Sequence, residues 1–66
     1  MAIHKVIEVL SQSDKGWEDA AQKAVTEASK TVRGIKSLYI KEMQAVVEND
    51  KITQYRLNAN LTFEVK

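Results

Sequence analysis

The strongest constraint in this chain is the segment from Ile52 to Val65, where side-chain character alternates almost without a break. Tyr55, Leu57, Ala59, Leu61, Phe63 and Val65 fall on one parity, and Gln54, Arg56, Asn58, Asn60, Thr62 and Glu64 on the other. A period of two is the signature of a strand with one face packed and one face polar. Such a strand needs partners at both edges and an apolar cover for one face. The segments before it supply both. Ile3 to Leu10 is rich in β-branched residues and reads as a first strand, followed by a loop over Ser11 to Gly16. Lys36 to Glu48 reads as a second strand, with Leu38 and Ile40 on one parity and Tyr39, Met43, Ala45 and Val47 on the other. Glu48-Asn49-Asp50-Lys51 reads as a tight hairpin turn into the third strand, Ile52 to Val65.

From about Asp14 to Arg33 the apolar residues Trp17, Ala20, Ala21, Ala24, Val25, Ala28 and Val32 recur at three-to-four spacing, which predicts an amphipathic helix. Ser13 fits its N-cap, with Asp14, Glu18 and Asp19 near the positive end of the helix dipole. Gly34 fits the left-handed position past its end. The order is β-α-β-β, an α+β fold in a single domain over residues 1–66. The helix returns the chain, so strands 1 and 2 run the same way. Placing strand 3 between them makes every neighbour antiparallel and predicts the order 1-3-2, with the helix on one face.

Twenty helical residues span roughly 30 Å, whereas fifteen strand residues span roughly 50 Å. The helix cannot cover the hairpin, and an apolar face left wet usually marks an interface. Size points the same way. A chain of 66 residues removes only roughly 60% of its unfolded surface from water. Small domains usually add disulfides, a metal or further copies. Cysteine is absent and His4 is the single histidine, which excludes disulfides, thiolate zinc sites and an imidazole-rich metal site. Self-association remains the expected remedy.

Ten basic against nine acidic residues give a formal charge of +1, too balanced for a protein that holds nucleic acid by neutralising phosphates. No run approaches the roughly 18 apolar residues of a membrane span. Met1-Ala2-Ile3-His4-Lys5-Val6 lacks the apolar run of a signal peptide, so the cytoplasm is the expected location. No nucleophile motif, Gly-rich phosphate loop or calcium loop of the alternating-Asp type is present, and an enzyme is not expected. His4 reads as a solvent-facing or edge-strand residue. Glu48-Asn49-Asp50 reads as turn chemistry in preference to a metal site. Trp17 reads as a packing anchor over a ligand platform, and Tyr39 and Tyr55 as cross-strand packing partners over a stacking site. The stripe from Gln54 to Glu64 is a solvated face, a subunit interface or the wall of a ligand site. Asn58 and Asn60 on one strand face favour the last two, because asparagine is depleted in strands and its amide both donates and accepts.

Several motifs, taken in order, resemble one family. His4-Lys5-Val6-Ile7-Glu8, Ser13, Trp17-Glu18-Asp19-Ala20, Ala28-Ser29 with Thr31, and a hairpin ending in Phe63-x-Val65 are similar to the dodecins over nearly the whole chain. The resemblance implies a β-α-β-β fold, a hollow homododecamer and a storage and photoprotective role without turnover. In flavin-binding members, paired isoalloxazine rings stack between tryptophans at the start of strand 2, and a glutamine on strand 3 bonds the ring. Here those positions carry Ser37 and Arg56. Ser37 has no aromatic face, and Arg56 donates but cannot accept, so binding of FMN or riboflavin is expected to be weakened. Tyr39, two residues beyond Ser37, is a substitute platform. Arg56 with no strand-2 tryptophan also resembles a calcium-binding dodecin subgroup, which shares Lys51-Ile52-Thr53 followed by Tyr55-Arg56. Glu42 aligns with an acidic position associated with ions in some members. The competing expectations are a small-molecule store, an ion-associated shell without flavin, and a small protein-interaction module.

Overall fold

The computed structural model describes residues 3–65. Met1 and Ala2, which open the stretch read above for a signal peptide, lie outside the described residues, as does Lys66. Strand β1 runs over Ile3–Ser13, helix α1 over Trp17–Ala28, β2 over Ile35–Glu48 and β3 over Lys51–Val65. The strand order is β1-β3-β2, with both pairings antiparallel. This matches the expected topology. Asn49 and Asp50 both adopt positive φ (51° and 64°), the left-handed pair that a two-residue hairpin needs to follow the sheet twist. Glu48 then faces Lys51 across the turn.

The helix is shorter than its apolar periodicity suggested. It ends at Ala28, and residues beyond it form turns. The reason lies in Ser29 and Thr31. The Ser29 Oγ donates to the Thr26 carbonyl at 2.7 Å. The Lys30 and Thr31 amides donate three residues back, to Glu27 and Ala28, which tightens the last turn. Hydroxyl side chains compete for helix carbonyls in this way and favour helix ends. Gly34 is therefore not the residue just past the helix. Its φ of 76° serves the entry into β2, where a Cβ would stand 3.1 Å from the Glu64 carbonyl oxygen.

Ser13 is not the N-cap either. β1 continues through Ser13, so Ser11 to Ser13 are strand and not loop, and Gly16 caps the helix without a side-chain bond. The serines instead tie β1 to α1. The Ser11 Oγ donates to the Ala20 carbonyl at 2.7 Å. Ser13, 2% exposed, donates from Oγ to Asp19 Oδ2 at 2.5 Å and accepts the Lys15 amide at 2.9 Å. The Ser13 hydroxyl is the main reason the Asp19 carboxyl titrates below its ordinary value, with Lys23 and Lys15 adding to the effect against partial desolvation. A carboxyl whose folded pKa is depressed contributes stability above its unfolded pKa and loses it as pH falls through the folded one. We expect the wild-type denaturation midpoint to drop on acidification below about pH 4, the ordinary Asp range. Asp19→Asn should flatten that drop, as read by urea titrations between pH 5 and 2.5.

The core is thin. Among the described residues the buried apolar side chains are Ala20 and Ala24 on the helix and Leu57, Ala59 and Leu61 on β3. Alanine on the helix face lets it sit close on the central strand. Trp17 anchors the helix start: its ring meets Tyr55 edge-on with centroids 4.8 Å apart, and Nε1 donates to the Gln44 carbonyl at 3.3 Å. A 12-residue helix covers roughly 18 Å of a molecule 51 Å long. Ile3, Val6, Leu10, Tyr39, Met43, Val47 and Ile52 are each more than half exposed. The length comparison made from sequence thus holds, and more strongly because the helix is shorter.

Candidate functional site

The sheet face away from the helix carries the polar residues of β3. On β1 it carries His4, Glu8 and Gln12, opposite Glu64, Asn60 and Arg56. Its β2 side is set by a break in register. Leu38 faces Leu61 and Ile40 faces Ala59, but Glu42 faces Asn58 and Met43 faces Leu57. One extra residue between Ile40 and Glu42 is a β-bulge, which reverses the side-chain parity beyond it. Leu38, Ile40, Met43 and Ala45 therefore share the helix side, and Ser37, Tyr39, Glu42 and Gln44 share the polar side. Strict alternation had grouped Met43 and Ala45 with Tyr39. It also assigned Glu42 the parity of Ile40, and the bulge moves the carboxylate onto the face that bears Arg56.

Three cross-strand contacts order this face. Lys41 Nζ donates to Glu8 Oε2 at 3.1 Å, reaching across β3. Asn58 Nδ2 donates to Glu42 Oε1 at 3.1 Å. Arg56 Nε donates to Gln12 Oε1 at 2.6 Å. Asn58 Oδ1 is buried without a hydrogen-bond partner among the described residues, a state that costs roughly 1–3 kcal/mol. Between these groups opens a cleft of about 630 Å³ with Leu10, Gln12, Glu42, Gln44, Arg56 and Asn58 in its lining. That volume lies within the usual range for small-molecule sites.

The four residues singled out from sequence all lie on this one face, in two groups. Arg56 and Glu42 line the cleft. Ser37 and Tyr39 lie further along, opposite Thr62 and Asn60. Thr62 stands six positions along β3 from Arg56, or roughly 20 Å of strand. One chain therefore does not bring Ser37 and Arg56 to a common ligand. Tyr39 is 68% exposed and offers a free ring face. Tyr55 is instead engaged by Trp17. Gln12 and Leu10 were not picked out as site residues, because Gln12 was read as loop and Leu10 as a strand end; the pairing of β1 with β3 through Ser13 places both at the cleft. Among the described residues no group of three or more His, Cys, Asp or Glu could hold a metal, and no helix is long and apolar enough to cross a membrane.

A dodecin family model matches residues 3–66. The calcium dodecin of Mycobacterium tuberculosis is 29% identical over 66 residues, covering 100% of this chain and 93% of that protein. Its crystal structure, described as that of a calcium-chelating antigen with a novel calcium-binding site, aligns with a TM-score of 0.82 at 31% identity over 97% of this chain and 91% of that one. The dodecin of Streptomyces coelicolor aligns with a TM-score of 0.92 at 25% identity, over 98% and 93% of the two chains. An arginine-to-alanine variant of the Thermus thermophilus dodecin has the same fold, with a TM-score of 0.93 at 24% identity over 100% and 98%. A match across every described residue, joined to the same β-α-β-β arrangement, places this chain in the dodecin family.

Proposed function

We propose that this chain is a non-enzymatic subunit of a homo-oligomeric shell, a dodecamer as the family resemblance implies, which holds a small molecule on the polar face of its sheet. The observation that carries this reading is the cleft between Leu10, Gln12, Glu42, Gln44, Arg56 and Asn58, on a chain whose apolar surface its own helix leaves open. Copies that cover the flanks would also enclose the cleft. Arg56 is its cationic donor. Ser37 and Tyr39 take part only if a second copy brings them against the first.

The residues of one chain do not fit a flavin. Ser37 supplies no ring and stands roughly 20 Å of strand from Arg56, and the loss of stacking removes roughly 0.5–1.5 kcal/mol per aromatic pair beyond area burial. Riboflavin or FMN added to the purified protein should keep its fluorescence, with no quenching of submicromolar affinity. Strong quenching would restore the flavin-storing role.

The likeness to calcium dodecin favours a second reading, an ion-binding shell in which Glu42 is a ligand. Calcium takes six to eight oxygens, and a single chain offers one carboxylate and one amide at this point. Glu42 would hold the ion only with oxygens from neighbouring copies. Native mass spectrometry separates the readings in one spectrum. A species near twelve chain masses with a retained organic ligand supports the first, the same species with added calcium supports the second, and a monomer or dimer overturns both.

A further inference from the structure

The cleft holds an acid and a base that are not paired with each other. The ion pairs among the described residues are Lys23–Asp19, Lys30–Glu27 and Lys41–Glu8, and Arg56–Glu42 is not one of them. An amide detains each: Gln12 on β1 takes Arg56 Nε, and Asn58 takes Glu42 Oε1. The cleft is thereby polarised along its diagonal. Guanidinium donors lie at the β1 corner, and a carboxylate lies at the β2 corner with Oε2 and the remaining lone pairs of Oε1 for further donors. Leu10, 78% exposed, gives the lining an apolar surface.

We infer that this cleft takes the 2-amino-4-oxopyrimidine ring shared by guanine nucleosides and pterins. This inference rests on the small-molecule reading given above. That ring presents a ring N–H beside an exocyclic NH₂, two parallel donors that match the two oxygens of a carboxylate in a charge-assisted bidentate pair. Its carbonyl oxygen is an acceptor for Arg56 or Gln44, and its flat face suits Leu10. The isoalloxazine edge has the opposite pattern, a carbonyl on each side of one N–H, and would set two carbonyl oxygens against the Glu42 carboxylate. The cleft thus discriminates against flavin by hydrogen-bond polarity, apart from the missing tryptophan.

Calorimetric titration of the assembled full-length protein with guanosine, inosine, 6-hydroxymethylpterin and riboflavin tests this. Inosine is guanosine without the 2-amino group and should bind at least tenfold more weakly than guanosine. The tighter of guanosine and the pterin identifies the source of the ring. Glu42→Gln should abolish the guanosine–inosine difference while leaving the number of subunits in the assembly unchanged. Equal affinity for guanosine and inosine, or tighter binding of riboflavin, overturns the inference. So does a failure of guanosine and the pterin to bind, and the native spectrum then decides the wider reading: a retained molecule of another class leaves the binding shell standing, and no retained or bound molecule removes it as well.

Discussion

Leu61→Ala should lower the free energy of unfolding by about 2–5 kcal/mol, the usual cost of truncating a fully buried leucine to alanine. Leu61 has no exposed surface and is the largest apolar side chain buried completely among the described residues. It occupies the middle of the sheet, opposite Ile7 on β1 and Leu38 on β2, so its loss opens a void where all three strands meet on the apolar face. A small domain holds roughly 5–15 kcal/mol in total, and among the described residues the remaining buried apolar ones are three alanines and Leu57. Alanines cannot move in to fill the void. Urea denaturation at fixed chain concentration measures the change. A loss below about 1 kcal/mol would mean that the sheet collapses onto the cavity, or that subunit contacts and not this cluster hold the fold.

The fold was legible because β3 states its own geometry. The alternation from Gln54 to Val65 fixes a strand with one polar face, and the Asn49–Asp50 turn fixes the antiparallel partner. The site was legible only in part, and the failures have physical causes. Ser11 to Ser13 are polar and short and read as a loop in any propensity argument. In the structure they are strand, because Ser11 and Ser13 spend their hydroxyls on the Ala20 carbonyl and the Asp19 carboxylate. Helix length failed for a related reason, since periodicity continues to Val32 while the Ser29 hydroxyl takes the Thr26 carbonyl and the Lys30 and Thr31 amides donate three residues back. The bulge before Glu42 carries no glycine to mark it, and period counting cannot detect a reversal of parity inside a segment that reads as one continuous strand. Yet this reversal sets Glu42 beside Asn58 and in one cleft with Arg56. The functional face was therefore visible on β3 alone; its acidic corner had to come from the register.

Dilution should unfold this protein. For a large assembly whose chains fold only together, each tenfold drop in chain concentration lowers stability by about 1.4 kcal/mol of chain, the free energy of a tenfold change in concentration. A folded monomer shows no such dependence. The argument rests on what one copy leaves uncovered. Leu10, Tyr39 and Ile3 are each well over half exposed, and they lie on both sheet faces and on both edge strands, so no rearrangement of one short helix can shield them together. β1 and β2 also each present an unpaired edge, the feature that free monomers blunt with charge or proline. The middle of these edges carries Glu8 on β1 and Lys41 and Glu42 on β2, of which Glu8 and Lys41 neutralise each other in an ion pair, and the chain has no proline. Urea midpoints measured across three decades of chain concentration, with sedimentation at each, should therefore fall together with the assembled fraction. A midpoint constant over that range would show that the exposed apolar surface is stable in water, and the subunit-shell reading would lose its physical basis.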